Sequence, residues 1–331
     1  MSESNKRNFI VHGSILAIAG ILVRIIGMLY RIPVVNIIGS EGNGIYGAAF
    51  NIYNIMLVLS SYGLPMAVSK LVSARFTKRR YKSAAKVLRC SLMVAVCTGG
   101  IAALLVFFGA SFIENVIYGG GLPGLAIPLR ILAPTIFLVA ILGVIRGFFQ
   151  GQSTMIPTAV SQILEQIVNA IVSIAAGYGM MKAFASSPDV AAYGAAGSTL
   201  GTAMGALTAV LFMGFLYAVY TPTFNRLKRK DRHTENQSTG QICKIIIYTM
   251  IPIILGQTFY QISALIDDVM FSNIMVGRDI TKSISMDLGN FSSSYSLLIG
   301  IPQGVASAMS ASMLPSIVAS YTQGDNASVK D

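Results

Sequence analysis

The chain has 331 residues, of which 54% are hydrophobic and only 11% charged, with a formal net charge of +11. An ordinary soluble domain carries about 25% charged residues, so this make-up excludes one and points to an integral membrane protein. The apolar runs reach about 20 residues and none alternates over ten-residue strands, so helices rather than a barrel are expected to cross the bilayer.

Residues 1–8 are polar, and Lys6 and Arg7 precede an apolar run that continues past Arg24 to Ile38. That run is too long for a cleaved leader and reads as a retained helix. Further spans are expected near 44–69, 88–113, 125–148, 157–181, 194–220, 243–271 and 290–319, after a first at 9–35. The segment after the second span holds Lys70, Arg75, Lys78, Arg79, Arg80, Lys82, Lys86 and Arg89 without an acid. The segment after the sixth holds Arg226, Lys228, Arg229, Lys230, Arg232 and Lys244 against Asp231 and Glu235. Both belong in the cytoplasm by the positive-inside rule, which with an even number of spans puts both termini there. The same distribution argues against a nucleic-acid partner, because the charge flanks membrane runs instead of forming a footprint.

The expected fold is therefore an all-α polytopic membrane protein of about eight transmembrane helices. A complete six-helix bundle covers 1–221, a basic cytoplasmic linker 222–241, and the first two helices of an incomplete, truncated second bundle 242–331. Two short matches support a repeat: Gly63-Leu-Pro in span two and Gly300-Ile-Pro in span eight each place Gly-aliphatic-Pro in the second helix of a bundle. Pro65, Pro134, Pro252, Pro302 and Pro315 fall inside apolar runs, where each frees a carbonyl and bends the helix. The run Gly119–Gly124 lacks the Lys-Ser/Thr of a phosphate loop and reads as a turn.

Polar groups inside these spans carry the functional signal. The stretch from Gly143 to Ser173 is expected to close one helix at Arg146, turn through Gln150–Thr154 and restart at Pro157. Along the second helix Gln162, Glu165, Gln166, Asn169 and Ser173 recur at three- and four-residue spacing, opposite Ile163, Leu164, Ile167 and Val168. A charged residue at mid-membrane costs roughly 2.5–3.5 kcal/mol on insertion scales, so Glu165 should face protein or water. Arg24 and Arg31 lie two turns apart in span one. Gln257, Gln261 and Asp268 fall near one stripe of span seven, where the adjacent Asp267 and Asp268 cannot both point inward. Two readings of these groups stand open: ion pairs that fix packing, such as Arg24 with Glu165, or a solvated cavity whose guanidinium groups hold phosphate or pyrophosphate.

No nucleophile elbow, paired catalytic acids, zinc ligands or Walker motif is visible, so enzymatic or ATP-driven chemistry is not expected. Cys90, Cys97 and Cys243 have no metal-ligand spacing and read as packing residues. His12 and His233 sit near a terminus and in a charged loop, and no metal or cofactor is expected.

Four stretches carry a family resemblance: Arg24-Ile-Ile-Gly, the run from Gly44 to Asn54, Gly63-Leu-Pro-Met-Ala-Val-Ser-Lys, and above all Arg146 to Gln166. Together they resemble the polysaccharide biosynthesis proteins of the stage V sporulation protein B type, in the superfamily of lipid-linked oligosaccharide flippases, lipid II flippases and multidrug and toxic compound extrusion transporters. The resemblance implies two six-helix bundles around a central cavity, in the bacterial cytoplasmic membrane. It also implies movement of an undecaprenyl-pyrophosphate-linked oligosaccharide or peptidoglycan precursor by alternating access. Membrane lipid and cell-wall synthesis enzymes are the other implied partners. By position Arg31 corresponds to the charged cluster on span one of lipid II flippases, but Ile32 stands where they carry an acid. The competing functions are a cation-coupled multidrug exporter, a non-transporting scaffold in cell-wall or spore-cortex synthesis, and a glycosyl-transferring enzyme, which the short outer loops disfavour.

Overall fold

A computed structural model describes residues 3–232, 237–278 and 284–291. Six helical stretches among them are long and apolar enough to cross a membrane. The first of these, Ile18–Thr77, spans 60 residues, which as one rod would reach about 90 Å against a hydrocarbon core of about 30 Å. It is two crossings. Helix α1 (Glu3–Leu57) breaks at Gly39, whose φ of 69° and ψ of 177° lie outside the helical region, and a residue without a Cβ adopts that backbone most readily. Arg31 and Asn43, which a continuous helix would hold about 18 Å apart, are instead hydrogen-bonded at 3.3 Å, so the chain folds back on itself.

The return limb passes through a π-turn, Val58–Tyr62, into α2 (Leu64–Thr77), which Pro65 opens near its first turn. Proline is tolerated at that position because the first helical N–H groups lack partners in any case. The Thr98 hydroxyl of α3 donates to the Ser60 carbonyl at 2.8 Å, so a neighbouring helix satisfies the disturbed backbone. Helix α3 (Tyr81–Phe112) continues through a second π-turn, Ile113–Ile117, to a glycine-rich turn in which Gly119, Gly120 and Gly124 have positive φ. Both carboxylate oxygens of Glu114 accept backbone N–H groups there, from Gly124 at 3.0 Å and Ala126 at 2.7 Å. A carboxylate at this place suits the positive end of α4 (Ala126–Gly151).

Helix α4 does not stop at Arg146 but runs five residues on to Gly151, and Ser153 turns the chain with φ 62° into α5 (Ile156–Ala183). Its tail is held because Gly143, Gly147 and Gly151 let α2 approach at Pro65, Val68 and Val72, the close contact that small residues spaced by four provide. Helix α6 (Val190–Lys230) packs along α5 on a similar seam of Gly197, Gly201 and Gly205. Its 41 residues reach about 60 Å, so it continues through the first part of the linker and carries Lys228, Arg229 and Lys230 beyond the apolar core. Phe76, Phe148, Tyr220 and Phe224 gather where it leaves.

Helix α7 (Thr239–Val276) starts on a capping box: the Ser238 hydroxyl accepts from the Gln241 N–H, and the Gln241 side chain accepts from the Ser238 N–H. A short helical stretch, 284–291, follows. Span eight beyond 291, with Pro302, Pro315 and the second Gly-aliphatic-Pro motif, lies outside the described residues, as does His233. Helices alternate in direction, so the two basic segments share one end and Glu41, Glu114 and Asp189 the other. Here the former is the basic end and the latter the acidic end.

Candidate functional site

On the N-terminal limb of α1, Ile18, Ile21, Leu22, Ile25, Met28, Leu29 and Ile32 form an exposed apolar stripe at helical spacing. Gly27 and Tyr30 take the packed side: a Cβ on Gly27 would lie 3.1 Å from the Gln166 amide, and Tyr30 accepts a hydrogen bond from Asn169 at 3.3 Å. Arg24 and Arg31 fall between the two sides, one above the other, Arg24 exposed and Arg31 half-buried. Arg31 lies over the Tyr46 ring, 4.8 Å from its centroid, while donating to Asn43. That stacking and the bond to Asn43 fix the plane of the guanidinium, which a lysine ammonium could not reproduce.

The polar stripe of α5 divides into two parts. Toward the basic end Glu165 accepts from Arg146 at 2.7 Å, and Arg146 also donates to Ser161 at 2.9 Å. Gln162, Glu165 and Gln166 remain half-buried. Toward the acidic end Asn169 and Ser173 are taken up in packing. The Ser173 hydroxyl bridges Asn169 and the Ser198 carbonyl at 2.9 and 2.8 Å, and both residues are buried against α6. The side with helical polarity is thus half ion pair and half dry seam, and the guanidinium partner of Glu165 comes from α4.

On α7 the adjacent carboxylates part as their spacing requires. Asp267 is exposed, whereas Asp268 is buried and accepts from the Asn51 amide at 2.6 Å. Gln257 and Gln261 lie on the same helix, half-buried, toward the basic end. Tyr118, in the turn before α4, is fully buried and its hydroxyl has no hydrogen bond. Burial raises its phenol above the ordinary range, and the charge of Asp268 adds to this. Among the described residues no three His, Cys, Asp or Glu side chains gather as metal ligands.

Arg24 and Arg31 therefore share one side of α1, Arg146 and Glu165 join α4 to α5, and Asp268 meets the return limb. Sequence reasoning missed Asn43, Tyr46, Asn51 and Tyr118. The signal was present for three of them, as polar and aromatic residues recurring between Asn43 and Asn54 in an otherwise apolar span. Tyr118, in a loop, gave none.

The sequence model of the polysaccharide biosynthesis protein family matches residues 10–320. The chain is 28% identical over 318 residues to the lipid II flippase MurJ of Bacillus subtilis (strain 168), covering 94% of this chain and 58% of that protein. It is 25% identical over 316 residues to stage V sporulation protein B of the same organism, with the same coverage. The chain thus spans little more than half the length of these curated relatives. Among solved structures, the outward-facing conformation of a multidrug resistance MATE family transporter of the MOP superfamily aligns with a TM-score of 0.65 at 15% identity, covering 100% of this chain and 70% of that one. A MOP superfamily transporter from Pyrococcus furiosus aligns with 0.63 at 15% identity, again covering 100% and 70%. At that identity the likeness establishes the fold, a MATE-like helical bundle. The family match runs through both α1 limbs, the Arg146–Glu165 joint and α7, and this chain belongs to the polysaccharide biosynthesis protein family.

Proposed function

We propose that this chain works as a flippase in the bacterial cytoplasmic membrane, with both termini on the cytoplasmic side. In this reading it moves an undecaprenyl-pyrophosphate-linked oligosaccharide or peptidoglycan precursor by alternating access, as a carrier and not a catalyst. The observation that carries this is the pair Arg24 and Arg31 on one side of α1. A guanidinium turned to lipid at this depth would be costly, so the pair favours a watered space beside the apolar stripe. Guanidinium groups suit phosphate oxygens, and two such long side chains, about 11 Å apart along the helix, can converge on one pyrophosphate, while the exposed apolar residues next to them suit its prenyl tail.

Gln162, Glu165 and Gln166 on α5, Arg146 on α4, and Gln257, Gln261 and Asp268 on α7 would border the same space, with Asn169 holding α5 behind it. One relative, a lipid II flippase, agrees with such a cargo. A cation-coupled exporter of small organic cations is the second reading, favoured by the buried carboxylate of Asp268 and by the MATE-like fold.

Translocation of a fluorescent lipid-linked sugar pyrophosphate in proteoliposomes tests the proposal. Arg24→Ala and Arg31→Ala are each expected to slow it at least about tenfold, roughly 1.4 kcal/mol in the anion-binding step. Wild-type rates for both inserted variants would overturn the reading. Rates sensitive to Glu165 and Asp268 alone, with an organic cation as cargo, would favour the second.

A further inference from the structure

Three contacts join the first bundle to α7 and the stretch 284–291 at the acidic end. In the first, Asn43 donates to the Gly289 carbonyl at 2.9 Å, and the backbones cross closely around it. A Cβ on Gly44 would strike the Ser285 carbonyl, and a Cβ on Gly289 would strike that of Ser40. The segments Ser40-x-x-x-Gly44 and Ser285-x-x-x-Gly289 therefore meet reciprocally. In the second, Ser272 and Asn273 of α7 donate to the Tyr118 and Ile117 carbonyls, each at 2.8 Å. In the third, Asn51 donates to Asp268 at 2.6 Å.

We infer that these contacts form a reversible clasp which holds the acidic end shut, and that the Asn51–Asp268 hydrogen bond is the part that lets it open. The first two contacts end on backbone carbonyls between closely fitted helices and by themselves would make a permanent joint. The third buries a carboxylate. Asp268 is 9% exposed, and a carboxylate gains solvation as soon as water reaches it. Its closed-state compensation is the Asn51 amide, while the Tyr118 hydroxyl nearby is buried without a hydrogen bond. Closing this end thus costs desolvation of Asp268, and the amide offsets enough of it to keep the two states close in free energy. An aliphatic residue at 268 would shift the balance to closed, and loss of the amide would shift it to open. The inference concerns which parts move and does not depend on the cargo.

The test is labelling of the whole chain in membranes by an impermeant maleimide applied to each face separately. Cys90, Cys97 and Cys243 are replaced by alanine, and Gln261→Cys is the reporter, two turns from Asp268 toward the basic end. The parent is expected to label slowly from the acidic-end face. Asn51→Ala should speed this at least about fivefold, Asp268→Leu should slow it, and the exchanged pair Asn51→Asp with Asp268→Asn should return it to the parent rate. Should Asn51→Ala not insert, Asn43→Ala, which removes the bond to Gly289, is expected to raise labelling in the same direction. Rapid labelling of the parent from that face, or no increase in whichever of these two alanine variants inserts, would overturn the inference.

Discussion

Arg146 reaches from the last two turns of α4 to Glu165 on α5, 2.7 Å away, and its Nε donates to Ser161, so one guanidinium ties both helices beside the turn that joins them. Their side chains are 13% and 27% exposed, too buried for either charge to lose its partner without cost. Glu165→Ala should destabilise the protein by about 1–3 kcal/mol, with Arg146→Met/Glu165→Leu closer to wild type than either single change. Thermal unfolding in detergent of all four proteins gives the coupling between the sites. Additive losses would show that the pair contributes nothing as a pair.

The α5–α6 seam predicts opposite outcomes at two glycines of the same helix. A Cβ on Gly205 would meet the Glu165 carbonyl at 2.6 Å, while one on Gly214, further along α6, would meet nothing within 4 Å. Gly205→Val should cost about 1–3 kcal/mol or more through overpacking. Gly214→Ala should be neutral or stabilise by up to about 1 kcal/mol through helix propensity. The fraction of each variant extracted as a monodisperse species checks both.

Much of this architecture was readable from hydropathy and charge alone. Basic and acidic loops alternate along the chain apart from the uncharged turn between α4 and α5, and α3 to α6 fall within a few residues of the expected spans, apart from the basic-end extensions of α3 and α6. Arg146 shows where the reading failed. A charge near the end of an apolar run looks like a helix terminus, but here it is satisfied sideways by Ser161 and Glu165, so the helix continues to Gly151. Asn169 shows what spacing leaves open. Its place on the polar side of α5 allowed either water or a protein partner, and its partners, Tyr30, Ser173 and Thr202, include one 139 positions away; periodicity within one helix carries no information about which neighbour will take a polar group. The pairing of Asp268 with Asn51, 217 positions apart, was unreadable for the same reason.

Helix α7 begins where the charged linker gives way to its capping box. Ser238→Ala removes the acceptor for the Gln241 N–H and should cost about 1 kcal/mol, concentrated in the first turn. Ser238→Asp should retain the cap. Hydrogen exchange of amides 240–243 is expected to accelerate in the alanine variant only, while exchange deeper in α7 stays at the parent rate. Faster exchange along the whole helix would mean that the cap anchors α7 against α3, where Cys90 approaches the Thr239 carbonyl at 3.9 Å.

Arg31 offers the finest test of how an anionic head group would be held. Its guanidinium lies over the Tyr46 ring and donates to the side-chain amide oxygen of Asn43, so its orientation, and not only its charge, is fixed before any ligand arrives. Arg31→Lys keeps the charge and discards the fork, and it should weaken binding of a short-chain prenyl pyrophosphate by about tenfold, near 1.4 kcal/mol. Tyr46→Leu leaves the guanidinium in place but removes its platform, and should cost a similar or smaller factor, since a cation over an aromatic face contributes about 0.5–2 kcal/mol. Arg31→Ala should lose both effects and bind more weakly than either. Equilibrium binding to purified protein at two salt concentrations separates the contributions, because the charge is screened by salt and the geometry is not. Wild-type affinity in Arg31→Lys would show that only the charge matters and that the stacking on Tyr46 serves packing of the two α1 limbs alone.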